Sequence, residues 1–196
     1  SGTKVTLTTN GTLLEERRMK KLLDSGIHMI DISLDAYTNE TYQKIRIGGD
    51  LNITSKNVLK LIELNEKSNY KTKIVVSFIE QPQNSNEIED FKKFWSKKVE
   101  DVVVRRLHTN AGTNEKLYEN KENVRRACLY PWERIVLTAK GMLSYCPTDW
   151  FGKAVICDYR INTIKDIWTS RFYDSLREEH LTCNFKILRD FFLSKY

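Results

Sequence analysis

Over residues 1–106 the hydrophobic period switches back and forth between about 2 and about 3.6 residues, which constrains the fold more than anything else in the chain. Val5 to Thr8 is a short β-branched run, and Asn10-Gly11 punctuates it. Thr12 and Glu15 have the spacing of a capping box, Leu13 to Leu23 reads as helix, and Gly26 stands where that helix would stop. Ile30, Ile32 and Leu34 then alternate with Asp31, Ser33 and Asp35, the pattern of a strand. Helices are predicted over Asn39 to Ile47, Thr54 to Lys67 and Glu87 to Lys98, and strands over Lys73 to Ile79 and Asp101 to Arg106. A β-α-β-α-β-α-β order of this kind predicts a parallel sheet with right-handed crossovers. Four strands do not close a barrel, and the first would be an unprotected edge unless something upstream covers it, so the unit reads as incomplete on its N-terminal side.

The stretch from about Thr109 to Arg126 is polar and reads as a linker. A different module follows. Arg134 to Thr138 and Met142 to Cys146 flank Ala139-Lys140-Gly141, a three-residue hairpin connection with glycine where a left-handed conformation is wanted. Thr163 with Asp166 opens one helical segment, Ser170 to His180 forms another, and Phe185 to Tyr196 has no period that places it. The expected organisation is residues 1–108, a linker at 109–127 and a second module at 128–196.

Composition removes several classes. Of the 196 residues 40% are hydrophobic and 30% charged, with only 3 Pro, which excludes disordered and collagen-like chains. No apolar run approaches the roughly 18 residues of a membrane span, and Ser1 to Thr9 lacks the regions of a signal peptide. Ser1 in place of an initiator Met reads as a processed product or a fragment. The net charge of +6 would permit nucleic-acid binding, yet clusters such as Arg17, Arg18, Lys20 and Lys21 have carboxylates beside them, as solvated helix faces do. Neither nucleic acid nor membrane is an expected partner.

Ligands of parallel α/β sheets sit beyond the carboxyl ends of the strands. Asn10-Gly11, then Ser33 with Asp35, and Glu80-Gln81 fall there. Asn10-Gly11 serves equally as a plain turn, and Asp35 as a cap for the next helix. Arg46 can reach back as a clamp on a carboxylate or lie solvated. Cys128 and Cys146 bracket the hairpin, and pairing about Ala139 to Gly141 sets Cys146 across from Arg134, so a loop can bring both sulfurs to one place. Two thiolates there would hold a soft metal or an iron-sulfur cluster; a disulfide or two buried thiols are the alternatives. Cys157, Cys183 and the three His show no ligand spacing.

Taken in order, Thr9-Asn10-Gly11-Thr12-Leu13, Ile32-Ser33-Leu34-Asp35, Tyr42 to Arg46 and Cys128-x12-Gly141-x4-Cys146 resemble a radical S-adenosylmethionine (radical SAM) enzyme with a SPASM-type C-terminal extension. Asp166-Ile167-Trp168, Leu176-Arg177 and His180 look like the helical part of that extension. The resemblance implies an α/β fold: a partial (β/α)6 radical SAM barrel lacking its first two strands, plus a small α+β SPASM-like module with a β-hairpin. It implies S-adenosylmethionine and [4Fe-4S] clusters as cofactors, with the radical-cluster cysteines outside this chain. By the same resemblance Asn10, Ser33, Asp35 and Arg46 belong to the cofactor shell, with Ser33 and Asp35 on the ribose or amino group and Arg46 on the methionyl carboxylate. Cys128 and Cys146 would be auxiliary-cluster ligands. The implied chemistry is cleavage of the cofactor to a 5′-deoxyadenosyl radical that abstracts hydrogen from a small-molecule, sugar or peptide substrate. The resemblance further implies electrons from a flavodoxin or ferredoxin, and a cytoplasmic location.

The sequence also departs from the SPASM pattern, which expects further cysteines near the C-terminus where Phe185 to Tyr196 has none. The competing expectation is a truncated or degenerate α/β module that keeps the scaffold and makes no radical.

Overall fold

The computed structural model describes residues 2–107, 127–149 and 151–185. Residues 109–126 of the expected linker and the C-terminal residues 186–196 therefore lie outside the described residues. The chain divides into two compact units, Ser1–Leu107 and His108–Tyr196, each taken by itself below.

In the first unit β1 (Thr6–Thr9), β2 (Met29–Ser33), β3 (Lys73–Glu80) and β4 (Asp101–Arg106) form one sheet in the order β1-β2-β3-β4, every pair parallel. Helices α1 (Glu16–Asp24), α2 (Asn39–Ile45), α3 (Leu51–Lys67) and α4 (Ile88–Trp95) fill the crossovers. Ile30, Ile32 and Leu34 point to one face together with Ile74, Val76 and Phe78, and there they bury against Met19 and Leu23 of α1, Val58 and Leu61 of α3, and Phe91 and Trp95 of α4. Each such burial contributes about 1.5–3 kcal/mol. The period-2 alternation sends Asp31, Ser33, Ser77 and Arg105 to the opposite face.

Helix starts differ from expectation for identifiable reasons. Thr12 does not cap α1, because its hydroxyl and its amide both donate to Asn10 Oδ1, at 2.8 and 3.1 Å; the helix begins only after Glu15, without a side-chain cap. Helix α3 starts three residues before Thr54, where Asp50 accepts hydrogen bonds from the amides of Asn52 (2.8 Å) and Ile53 (3.4 Å). Gly11 adopts φ +74°, and a Cβ there would lie 3.0 Å from Ile32 and 3.2 Å from Thr54, so both backbone hand and space require glycine.

The second unit has a three-stranded antiparallel sheet of β5 (Val136–Leu137), β6 (Met142–Ser144) and β7 (Val155–Asp158), with helices α5 (Tyr130–Glu133), α6 (Ile164–Trp168) and α7 (Arg171–Thr182). The hairpin turns at Gly141, φ +79°, and pairs Val136 with Ser144, which is the expected register. Its strands are shorter than the apolar runs suggested. Thr163 and Asp166 form the expected capping box, and Tyr145, Ala154, Tyr173 and Leu176 make the core. No helix among the described residues is long and apolar enough to cross a membrane.

Candidate cofactor site

The carboxyl edge of the first sheet is organised around Asp35. This residue is not the helix cap; Thr38 caps α2, accepting from the Thr41 amide at 3.3 Å. Asp35 instead sits in the left-handed region, φ +61°, with its side chain 4% exposed. One carboxylate oxygen accepts from the Ile79 amide at 2.7 Å and the other from the Arg46 guanidinium. The Asp35 carbonyl accepts from Asn84 Nδ2 at 2.8 Å. Aspartate tolerates this conformation better than most side chains.

Two residues that local sequence patterns did not single out hold this loop in place. Asn84 is fully buried and closes three hydrogen bonds: to the carbonyls of Asp35 and Ile79, and from the Gln81 amide. Glu87, also buried, accepts from the amides of Tyr37 (2.7 Å) and Thr38 (3.2 Å) and from the hydroxyls of Thr38 (2.5 Å) and Thr41 (2.6 Å). Burial alone would raise the Glu87 carboxyl, but these hydrogen bonds outweigh it and hold the group below the ordinary carboxylate value. A depressed carboxyl contributes stability above its unfolded-state value and loses it as pH falls through the folded one. Glu87→Gln is therefore expected to cost about 1–2 kcal/mol at neutral pH, with the gap to the parent closing below about pH 4.5. Urea titrations at several pH values measure this, and parallel stability curves for the two proteins would refute it.

The expected site residues are distributed as follows. Asn10 is exposed at the end of β1 with its carbonyl oxygen occupied by Thr12, and Asn57 of α3 fixes the same turn by donating to the carbonyls of Gly11 and Thr12. Ser33 ends β2 half-buried, and among the described residues its hydroxyl has one hydrogen-bond contact, a 3.4 Å approach from the Ser77 hydroxyl. Arg46 and Asp35 are brought together; the arginine is 29% exposed and commits one nitrogen to the carboxylate, with no second side-chain hydrogen bond among the described residues. A guanidinium so anchored, with a free edge, suits a carboxylate of a bound molecule. Together with the Ser33 hydroxyl these donors fit the polar end of S-adenosylmethionine. Each Asp35 oxygen already accepts one hydrogen bond, from Ile79 or from Arg46.

In the second unit all four cysteines are free thiols, which removes the disulfide alternative. The Cys128 amide donates to His180 Nδ1 at 3.0 Å, so a buried histidine positions that cysteine. The Cys146 sulfur lies 3.1 Å from the Thr148 hydroxyl. Burial, then the charge of Asp158, pushes the Cys157 thiol up, which disfavours the thiolate a metal needs. Among the described residues no three His, Cys, Asp or Glu form a metal-binding group. Those residues thus supply thiols without a complete cluster ligand set.

The radical SAM superfamily model matches residues 1–95, and the model of the SPASM iron-sulfur cluster-binding domain matches residues 128–186. The chain belongs to the radical SAM superfamily. It carries a SPASM domain, and these families use S-adenosylmethionine and iron-sulfur clusters. Among curated relatives, a probable GTP 3′,8-cyclase of Methanococcus maripaludis is 42% identical over 60 residues, covering 31% of this chain and 20% of that protein. An uncharacterized protein of Methanocaldococcus jannaschii is 34% identical over 119 residues, 61% of this chain and 39% of the relative. The GTP 3′,8-cyclase of Clostridium botulinum is 29% identical over 117 residues, 59% and 34% of the two chains. The chain thus spans well under half the length of these relatives. A solved structure of anSMEcpe with bound AdoMet and the Kp18Cys peptide aligns with TM-score 0.56 at 14% identity, over 88% of this chain and 59% of that one. This supports a radical SAM fold for the parallel sheet.

Proposed function

We propose that the chain is the C-terminal part of a radical SAM iron-sulfur enzyme, with residues 1–108 as the barrel part, 109–127 as a linker and 128–196 as the SPASM-like module. The observation that carries this reading is Arg46, fastened by Asp35 just past the carboxyl end of β2 in a parallel sheet, with one guanidinium nitrogen committed and the side chain partly exposed. Arg46 binds the methionyl carboxylate, Ser33 donates to or accepts from the ribose or amino group, and the Asn10-Gly11 turn bounds the same edge. Asp35 acts through Arg46, fixing where the guanidinium points. The cofactor, when bound, supplies hydrogen-abstraction chemistry; the residues named here bind it, orient it and keep water away. Cys128 and Cys146 contribute to an auxiliary cluster whose remaining ligands are outside the described residues or outside this chain. The substrate is a small molecule, sugar or peptide, the electrons come from a flavodoxin or ferredoxin, and the compartment is the cytoplasm, where thiolate ligands stay reduced.

The test is anaerobic reconstitution of the full-length protein with iron and sulfide. Cys128→Ser and Cys146→Ser are each expected to lower bound iron and visible charge-transfer absorption relative to the parent. Identical iron content in parent and both variants would remove these cysteines from any cluster. Calorimetry with S-adenosylmethionine tests the other half, and an absence of binding would end the enzyme reading.

A further inference from the structure

The sheet face turned away from the helices carries an unusual carboxylate. Asp31 lies mid-strand on β2, one row before Ser33, and its side chain is 8% exposed. Its Oδ2 accepts from Arg105 Nη2 at 3.2 Å, whereas its Oδ1 is buried and has no hydrogen-bond partner among the described residues. Arg105 belongs to β4, so with β3 between them the guanidinium arches over the face of Val75 and Ser77 to reach β2. The Arg105 side chain is 51% exposed, and the Asp31 contact is its only side-chain hydrogen bond among the described residues. A buried carboxylate oxygen left without a donor costs free energy, and an apolar side chain at position 31 would avoid that cost.

We infer that Asp31 and Arg105 form a recognition pair for the substrate, on the polar face of the sheet beneath the cofactor edge. The inference deepens the proposed function and rests on it. The class of ligand group follows from charge. A cation facing Asp31 would meet Arg105, and an anion facing Arg105 would meet Asp31, so the pair suits a neutral group with a donor and an acceptor side by side. An N–H and a C=O on the same edge meet this need: the N–H donates to Asp31 Oδ1 and the carbonyl accepts from Arg105. Primary amides and lactam rings have such an edge. A trans secondary amide does not, because its N–H and C=O point in opposite directions.

The experiment compares the full-length parent with Asp31→Asn and Asp31→Leu by thermal melting and by ligand-observed NMR. The probes are N-acetyl-L-glutaminamide for the primary amide, guanosine for the lactam and N-methylacetamide as the trans control. The parent is expected to bind at least one of the first two in preference to the control, and Asp31→Leu to weaken that binding about tenfold or more. Both variants should melt at or above the parent temperature, since the group they remove serves recognition and the arginine left behind is already half solvated. Which probe binds distinguishes a primary amide from a lactam. Melting temperatures lowered by more than about 5 °C in both variants would make the pair structural and overturn the inference. So would failure of both same-edge probes, or binding that is indifferent to position 31. Binding of S-adenosylmethionine by the parent is measured in parallel, so a failure of the enzyme reading is seen separately from a failure at Asp31.

Discussion

Replacing Asp35 with alanine is expected to destabilise the first unit by about 3–5 kcal/mol, the largest effect of any single change at the cofactor edge. Three losses combine. The Ile79 amide is left without its acceptor, Arg46 loses the carboxylate that fixes it, and alanine must occupy a φ of +61°, at about 1–2 kcal/mol. Asp35→Asn separates these contributions, because asparagine tolerates the left-handed conformation and keeps an oxygen for Ile79 while giving up the charge. It should cost about 1–2 kcal/mol. Denaturant titrations of both variants at neutral pH make the comparison. Equal losses would mean that the charge alone matters, and a negligible loss for alanine would contradict the hydrogen-bonding role altogether.

The second large effect is on ligand affinity. Arg46→Met keeps the apolar stem of the side chain and removes the guanidinium, and binding of S-adenosylmethionine is expected to weaken by about 10–100-fold, the equivalent of about 1.4–2.7 kcal/mol. Arg46→Lys should recover only part of it, because an ammonium cannot face Asp35 and a second carboxylate with the flat two-edged geometry of a guanidinium. Calorimetry on the full-length protein reads both variants. A stability loss in Arg46→Met with unchanged affinity would reduce Arg46 to a counter-ion for Asp35 and remove it from the cofactor shell.

These residues differ in how far the sequence revealed them. Ser33 and Asp35 stood out because polar side chains two apart in an apolar strand are conspicuous, and Arg46 because an arginine one helix later can return to the strand end. The pairing of Asp35 with Arg46 was not legible, since the same carboxylate could have capped α2. Asn84 and Glu87 gave no local signal: their partners at Asp35, Tyr37 and Thr38 lie 49 or 50 residues away, and only the parallel crossover between β2 and β3 brings them together. Strand β7 carries no distinct sequence signal, because Val155 to Asp158 is only four residues long and half-buried throughout, without an alternating pattern. Asp31 read as one polar member of an alternating strand, and its missing partner became visible only with the atoms around it in place.

The fastening of the Asp35 loop also dictates an order of assembly. Hydrogen bonds that span 44 to 50 residues cannot form until β3 has docked beside β2 and the turn through Asn84 has closed. During chain growth β1, α1 and β2 can assemble while the Asp35 loop is still without the Ile79 and Asn84 hydrogen bonds that hold it. The cofactor edge is therefore among the later parts of the first unit to take shape, and a chain halted before β3 would have β1 and β2 to pair but neither Ile79 nor Asn84 to hold the Asp35 loop that directs its arginine.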